Sequence, residues 1–197
     1  DRLRAELLAL ADVIERTIEI CEPICKSLIA EWGDKREFVF VGAGPLYGAA
    51  MFSAAKLLEA SGDAAMAQDV EEWAHLQYFA MSSETPTILL SAGGFDADRT
   101  AEVARAAHSL GRPVVAVVPQ GESEISQFAD VVLPIQGEVR ECFAPIVYSV
   151  PGELLAAERA NALGTAYFRN FEGGRTVDWA GGASRIRDSH MITEVNH

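Results

Sequence analysis

The chain predicts an α/β fold: a three-layer, doubly wound unit around a mostly parallel, five-stranded sheet. Three observations carry the prediction. Runs such as Phe38-Val39-Phe40-Val41 and Val114-Val115-Ala116-Val117-Val118 are apolar at every position, as strands are when helices cover both faces of the sheet. These runs alternate with stretches of helical periodicity, the pattern of successive βαβ units. The length of 197 residues, 49% of them hydrophobic, suits one sizeable core and is short for two independent domains.

Taken in order, residues 1–32 place Leu7, Leu8, Leu10, Val13, Ile14, Ile18 and Ile20 at mostly helical spacing, with Pro23 as a kink or break in one or two long amphipathic helices. The strand Phe38–Val41 ends at Gly42-Ala43-Gly44-Pro45, and a helix from Tyr47 to Ala60 follows. A short strand near Met66–Val70 leads into a helix over Glu71–Ala80, and then into the strand Thr87–Leu90. Gly93 and Gly94 precede a helix over Asp98–Leu110, capped by Asp98. The strand Val114–Val118, a brief helix near Glu124–Phe128 and the strand Val131–Leu133 complete a flavodoxin-like set. Val139–Leu163 reads as a long helix interrupted at Pro145 or Pro151. The stretch 164–197 is rich in Gly, Arg and Asp and has weak periodicity, as a functional loop or a partner-ordered segment has.

A formal net charge of −13 argues against a nucleic-acid footprint or a basic membrane-surface patch, which need clustered Lys and Arg. An anionic ligand would then be held by local dipoles and a few placed cations. No apolar run approaches the length of a membrane span and no signal peptide is evident, so a cytoplasmic protein is expected. Cys21, Cys25 and Cys142 form no even framework and lack metal-ligand company, so they read as reduced core thiols, and neither a metal nor a redox cofactor is implied.

Several short motifs stand in a recognisable order. Gly42-Ala43-Gly44-Pro45-Leu46-Tyr47-Gly48, with Ala50, Ala54, Lys56 and Glu59 beyond it, is similar to the loop and helix that open the C-terminal module of the glucosamine-6-phosphate synthases. Glu72-Trp73-Ala74-His75 resembles the Glu-Leu-Lys-His segment of those enzymes, and Ala144-Pro145-Ile146-Val147-Tyr148-Ser149-Val150-Pro151 resembles their later helix start, which Gly164-Thr165 closes. The chain thus resembles the sugar isomerase (SIS) family. The resemblance implies connector helices over 1–36, a SIS module over 37–163 and a tail over 164–197 that contributes to a site or a dimer. It also implies a first module supplied from elsewhere, and a homodimer whose site is shared between subunits.

Aldose–ketose isomerisation needs a base that takes a proton from one carbon and returns it to the next, and a group that opens the sugar ring. By resemblance, Glu59 holds the place of the isomerising glutamate, and His75 that of a ring-opening histidine which comes from a neighbouring subunit. Lys56 matches a lysine near the reacting end of the sugar. Each has a plainer reading. Lys56 and Glu59 suit a solvated i,i+3 ion pair, and His75 a surface or capping residue. Glu72 is either a polar site residue or, with Glu71, a group that stabilises a helix start. Gly42 and Gly44 either admit a ligand to a helix N-terminus or serve the turn alone, and Tyr47 and Ser91 join the substrate-binding candidates. Arg185 and Arg187 are either a clamp for phosphate or carboxylate or ion-pair partners.

The sequence also departs from the pattern. The family grips phosphate with a Ser-x-Ser-x-x-x-x-Thr type of loop. Here Ser91-Ala92-Gly93-Gly94-Phe95-Asp96-Ala97-Asp98-Arg99-Thr100 breaks the serine pair and adds two aspartates that repel phosphate. Phe52 replaces a first glutamate of the family helix. The tail Gly182–Ser189 has no lysine for a Schiff base, and arginine stays protonated. Glutamine-dependent synthesis by this chain alone is not expected. Three functions stay open: a phosphosugar isomerase or deaminase acting on a ketose or aldose 6-phosphate, a deglycase of 6-phosphorylated fructosamines, and a non-catalytic module that binds a sugar phosphate.

Overall fold

The structure, a computed structural model, describes residues 2–165. Five parallel strands are ordered β2-β1-β3-β4-β5: β1 (Glu37–Gly42), β2 (Ala64–Asp69), β3 (Thr87–Leu90), β4 (Val114–Pro119) and β5 (Val131–Ile135). The helices are α1 (Arg2–Trp32), α2 (Pro45–Ser61), α3 (Val70–His75), α4 (Ala97–Ser109), α5 (Ala144–Tyr148) and α6 (Val150–Leu163).

Strand register divides the core in two. Phe40, Ile88, Val115 and Val131 lie abreast and face α1, α2, α5 and α6, whose Leu28, Leu57, Val147 and Leu155 complete that cluster. The next row, Val41, Leu89, Ala116 and Val132, faces α3 and α4 through Val70, Trp73, Val103 and Ala107. The division follows from the order of the strands. The chain moves outward from β1 to β2 and then back past β1 to β3, and right-handed crossovers in opposite directions put α2 and α3 on opposite faces.

Several elements differ from their sequence-based expectations. α1 runs unbroken through Pro23, because Pro23 and Glu19 lie on the exposed side and the carbonyl freed by the missing N–H is open to water. The helix expected over Glu71–Ala80 stops at His75 and gives way to a 3₁₀ turn at Gln77–Phe79. α4 begins one residue early, so Asp96 rather than Asp98 stands at its N-cap, where the carboxylate accepts from Thr100 Oγ1 at 3.2 Å. The long helix expected over Val139–Leu163 is a 3₁₀ turn followed by α5 and α6, which meet at Ser149 with a proline in the first turn of each.

Cys21 and Cys25 are buried free thiols as expected, whereas Cys142, in the 3₁₀ turn before α5, is exposed rather than in the core. Burial pushes the Cys21 thiol up to about 12, and the Cys25 thiol is raised for the same reason. At the N-terminal edge of the sheet, Arg159 of α6 donates from Nε to Asp63 at 2.6 Å and from its other nitrogens to the carbonyls of Gly33 and Lys35. Arg36 donates to the second Asp63 oxygen at 2.7 Å. This network ties α6 to the turns that precede β1 and β2.

Candidate functional site

The candidate residues fall into three groups. The first is on α2. Leu46, Ala49, Ala50, Ala54 and Leu57 of this helix face the core, which turns Met51, Phe52, Leu58 and the Lys56–Glu59 pair outward. Lys56 and Glu59 are the only charged residues of the helix. Lys56 Nζ donates to Glu59 Oε2 at 2.5 Å and lies 5.4 Å from the centroid of the Phe52 ring. Both side chains are partly exposed, at 40% and 35%, so a ligand can approach the carboxylate while the ammonium holds it in place. An outward face carrying Met51, Phe52 and Leu58 is unusual for a helix on a globular surface, which is ordinarily polar on that side.

The second group is on the other side of the sheet. Asp69 caps α3 by accepting from the Glu71 amide at 2.9 Å, and His75 ends the helix. His75 Nε2 lies 3.0 Å from Glu71 Oε1. The same carboxylate accepts from Arg99 Nε at 2.7 Å and Nη2 at 3.1 Å. Hydrogen bonds from Arg99, and after it from His75, hold the Glu71 carboxyl below its ordinary value. Glu71 therefore orients the His75 ring across one helical turn. The residue next to it, Glu72, is exposed in the first turn of α3.

The third group lies at the C-terminal edge of the sheet, where open α/β folds place their ligands. A Cβ on Gly42 would stand 2.5 Å from the Leu46 carbonyl oxygen, so the close turn from β1 into α2 itself requires glycine there. Gly44, with φ of 52°, precedes Pro45, and Tyr47 donates its amide to the Gly44 carbonyl at 3.1 Å. Ser91 is fully buried and its hydroxyl accepts from the Gly93 amide at 3.2 Å, within its own loop. A cleft of about 520 Å³ opens beside this edge, lined by Ala92, Pro119, Gln120, Ile135, Glu138 and Tyr148 among others. Burial, and secondarily the Asp96 carboxylate, raise the Tyr148 hydroxyl above its ordinary value, which keeps it a neutral hydrogen-bond donor.

Among the sequence candidates, Lys56 and Glu59 come together on α2, and Gly42, Gly44, Tyr47 and Ser91 gather at the sheet edge. The 12 residues of helix from Tyr47 to Glu59 separate these two sets by about 18 Å. His75 and Glu72 stand on the opposite face of the sheet from Lys56 and Glu59, on a helix that itself starts from the sheet edge, where its cap Asp69 pairs with Gly42. Arg185 and Arg187 lie outside the described residues. Sequence reading missed two side chains. Glu71 is at i,i+4 from His75, a spacing that could have flagged it. Tyr148, buried in the wall of the cleft, carries no local signal, since its place there depends on where α5 packs. Among the described residues, no three His, Cys, Asp or Glu gather as a metal site would require, and no helix is long and apolar enough to cross a membrane.

The family model of the SIS domain matches residues 33–159. The chain belongs to the SIS domain family. The chain is 29% identical over 163 residues to the glutamine–fructose-6-phosphate aminotransferase (isomerizing) of Thermus thermophilus, a match that covers 83% of this chain and 27% of that enzyme. The chain thus spans about a quarter of the length of this curated relative. In fold it is similar to the C-terminal domain of glucosamine-fructose-6-phosphate aminotransferase from Francisella tularensis, with a TM-score of 0.75 and 20% identity over 84% of this chain and 46% of that one. It is also similar to the sugar isomerase domain of an RpiR transcription factor from Sphaerobacter thermophilus, with a TM-score of 0.68 and 17% identity over 82% of this chain and 92% of that one.

Proposed function

We propose that this SIS module supplies the acid–base half of a phosphosugar isomerase site acting on a ketose or aldose 6-phosphate. The observation that carries this reading is the Lys56–Glu59 pair on the outward, otherwise apolar face of α2. In the proposed reaction the Glu59 carboxylate takes the proton from the carbon next to the carbonyl and returns it to the former carbonyl carbon. Lys56 steadies the carboxylate and offers its charge to the oxygen on which negative charge develops. His75, oriented by Glu71, exchanges a proton with the ring oxygen as the sugar opens.

Glu59 and His75 project from helices on opposite faces of one sheet. A site that uses both draws Glu59 from one copy and His75 from another, which supports a homodimer. Such a dimer pairs the exposed Met51, Phe52 and Leu58 of one copy with the exposed Leu76, Tyr78, Phe79 and Met81 that follow His75 in the other. The phosphate grip is drawn from outside the described residues. Ser91 is closed into its own loop and Asp96 is buried beside it, an arrangement that opposes an anion. Arg185, Arg187 and a first module of the same family are the sources consistent with the sequence.

The absence of lysine from the tail favours a second reading, a deglycase of 6-phosphofructosamines that needs no imine to an enzyme lysine: Glu59 moves a proton from C1 to C2, and water hydrolyses the resulting imine between sugar and amine to aldose phosphate and free amine. The test is an assay of the full-length protein with fructose 6-phosphate, glucosamine 6-phosphate and a phosphofructosamine, following aldose phosphate and released amine together. Interconversion of the simple phosphosugars is expected from an isomerase or deaminase. Amine release from the fructosamine alone selects the deglycase. No turnover of any of the three defeats both, and leaves the non-catalytic binding module.

A further inference from the structure

We propose that Arg112 is a positioning residue for His75, acting through the Trp73 ring before it and the backbone carbonyls after it; this rests on the reading of His75 as a site residue. Arg112 lies in the turn before β4 and is 2% exposed. Its Nη2 donates to the Gln77 carbonyl at 2.6 Å and to the Ala80 carbonyl at 3.3 Å. Its guanidinium carbon lies 5.5 Å from the centroid of the Trp73 ring. Trp73 and Gln77 are the residues two before and two after His75, so one buried cation grips the chain on either side of the histidine.

The arrangement is costly for the core. Among the described residues no carboxylate pairs with Arg112, and its Nε and Nη1 are buried without a hydrogen-bond partner. A buried, unpaired charge destabilises a fold, and an apolar side chain of similar volume would fill the space without that cost. What methionine or leucine cannot do is hold two carbonyls at once. The held segment needs such a tether. Within one chain Leu76, Tyr78, Phe79 and Met81 are exposed, and among the described residues the other side-chain ties of 76–81 to the rest of that chain are Gln77 to Met66 and the edge contact of Tyr78 with Trp73. Where α3 ends sets the direction of the His75 ring, and the carbonyls gripped by Arg112 belong to the turn that ends it.

The test uses Arg112→Met and Arg112→Lys in the full-length protein, with three readouts: amide hydrogen exchange, the His75 imidazole resonances assigned through His75→Gln, and kcat and KM on the phosphosugar that the wild type turns over. In Arg112→Met, exchange over residues 76–81 is expected to rise about tenfold while β1, β3 and β4 stay protected. The His75 resonances are expected to move. The kcat is expected to fall about tenfold with KM within about twofold, and Arg112→Lys, which keeps a donor, is expected to recover part of each change. Unmoved His75 resonances in Arg112→Met overturn the proposal whatever the activity, as does an unchanged kcat once the 76–81 amides have lost protection. If the wild type turns over no phosphosugar, the proposed function fails, and the His75 resonances still decide the role of Arg112. If Arg112→Met does not fold, the same resonances and exchange are read in Arg112→Lys.

Discussion

Gly152 of α6 lies directly against Ser53 of α2, and a Cβ on Gly152 would occupy the space of the Ser53 side chain. The two helices therefore meet at their backbones, one turn from Lys56. Gly152→Ala is expected to push α2 outward and cost about 1–3 kcal/mol of stability, the usual penalty for overpacking. Urea unfolding of the variant beside wild type measures it. A loss below about 0.5 kcal/mol would show that the helices shift apart freely.

Glu59→Gln is expected to lower kcat by about 10²–10⁴, the range general base catalysis contributes, with KM changed only a few-fold. Steady-state kinetics on the phosphosugar decides the point. A rate close to wild type removes Glu59 as the base.

Because the sheet stands between Glu59 and His75, the two should complement each other across copies. Glu59→Gln and His75→Asn, each inactive alone, are expected to regain about a quarter of wild-type activity when unfolded and refolded as a mixture, since half the dimers then hold one intact site. An inactive mixture would place both residues of a site in one chain.

The buried Asp63–Arg159 pair makes stability depend on acid. Burial by itself pushes the Asp63 carboxyl up, but hydrogen bonds from Arg36 and Arg159 outweigh it and hold the folded value below the ordinary one. A depressed folded value means the unfolded chain binds the proton first, so this stabilisation is complete above the unfolded value of about 3.9 and is lost as pH falls through the folded one. Asp63→Asn strands the Arg159 charge and is expected to cost about 3–5 kcal/mol at neutral pH. That difference from wild type is expected to shrink as pH falls below about 4. Urea midpoints of both proteins across pH 3–7 test this, and a pH-independent difference would show that the carboxylate charge does not matter.

The amino-acid sequence determined on its own whatever depends on neighbours along the chain. Uninterrupted apolar runs such as Phe38–Val41 and Val114–Val118 state which segments are buried on both faces, because only a strand covered by helices on both sides tolerates so few polar positions. Helical spacing alone brings Lys56 to Glu59, and the ordered motifs from Gly42 to Pro151 identified the SIS family. Tertiary structure decided what depends on segments distant in sequence. Pro23 does not break α1, because its missing hydrogen bond faces water. Ser91 is spent inside its own loop, and Arg112 reaches back some 35 residues to Gln77. Above all, the handedness of two crossovers puts α2 and α3 on opposite faces of the sheet and so parts Glu59 from His75. No periodicity along the chain records that separation, because it arises from the order in which strands add to the sheet rather than from the geometry of any one of them.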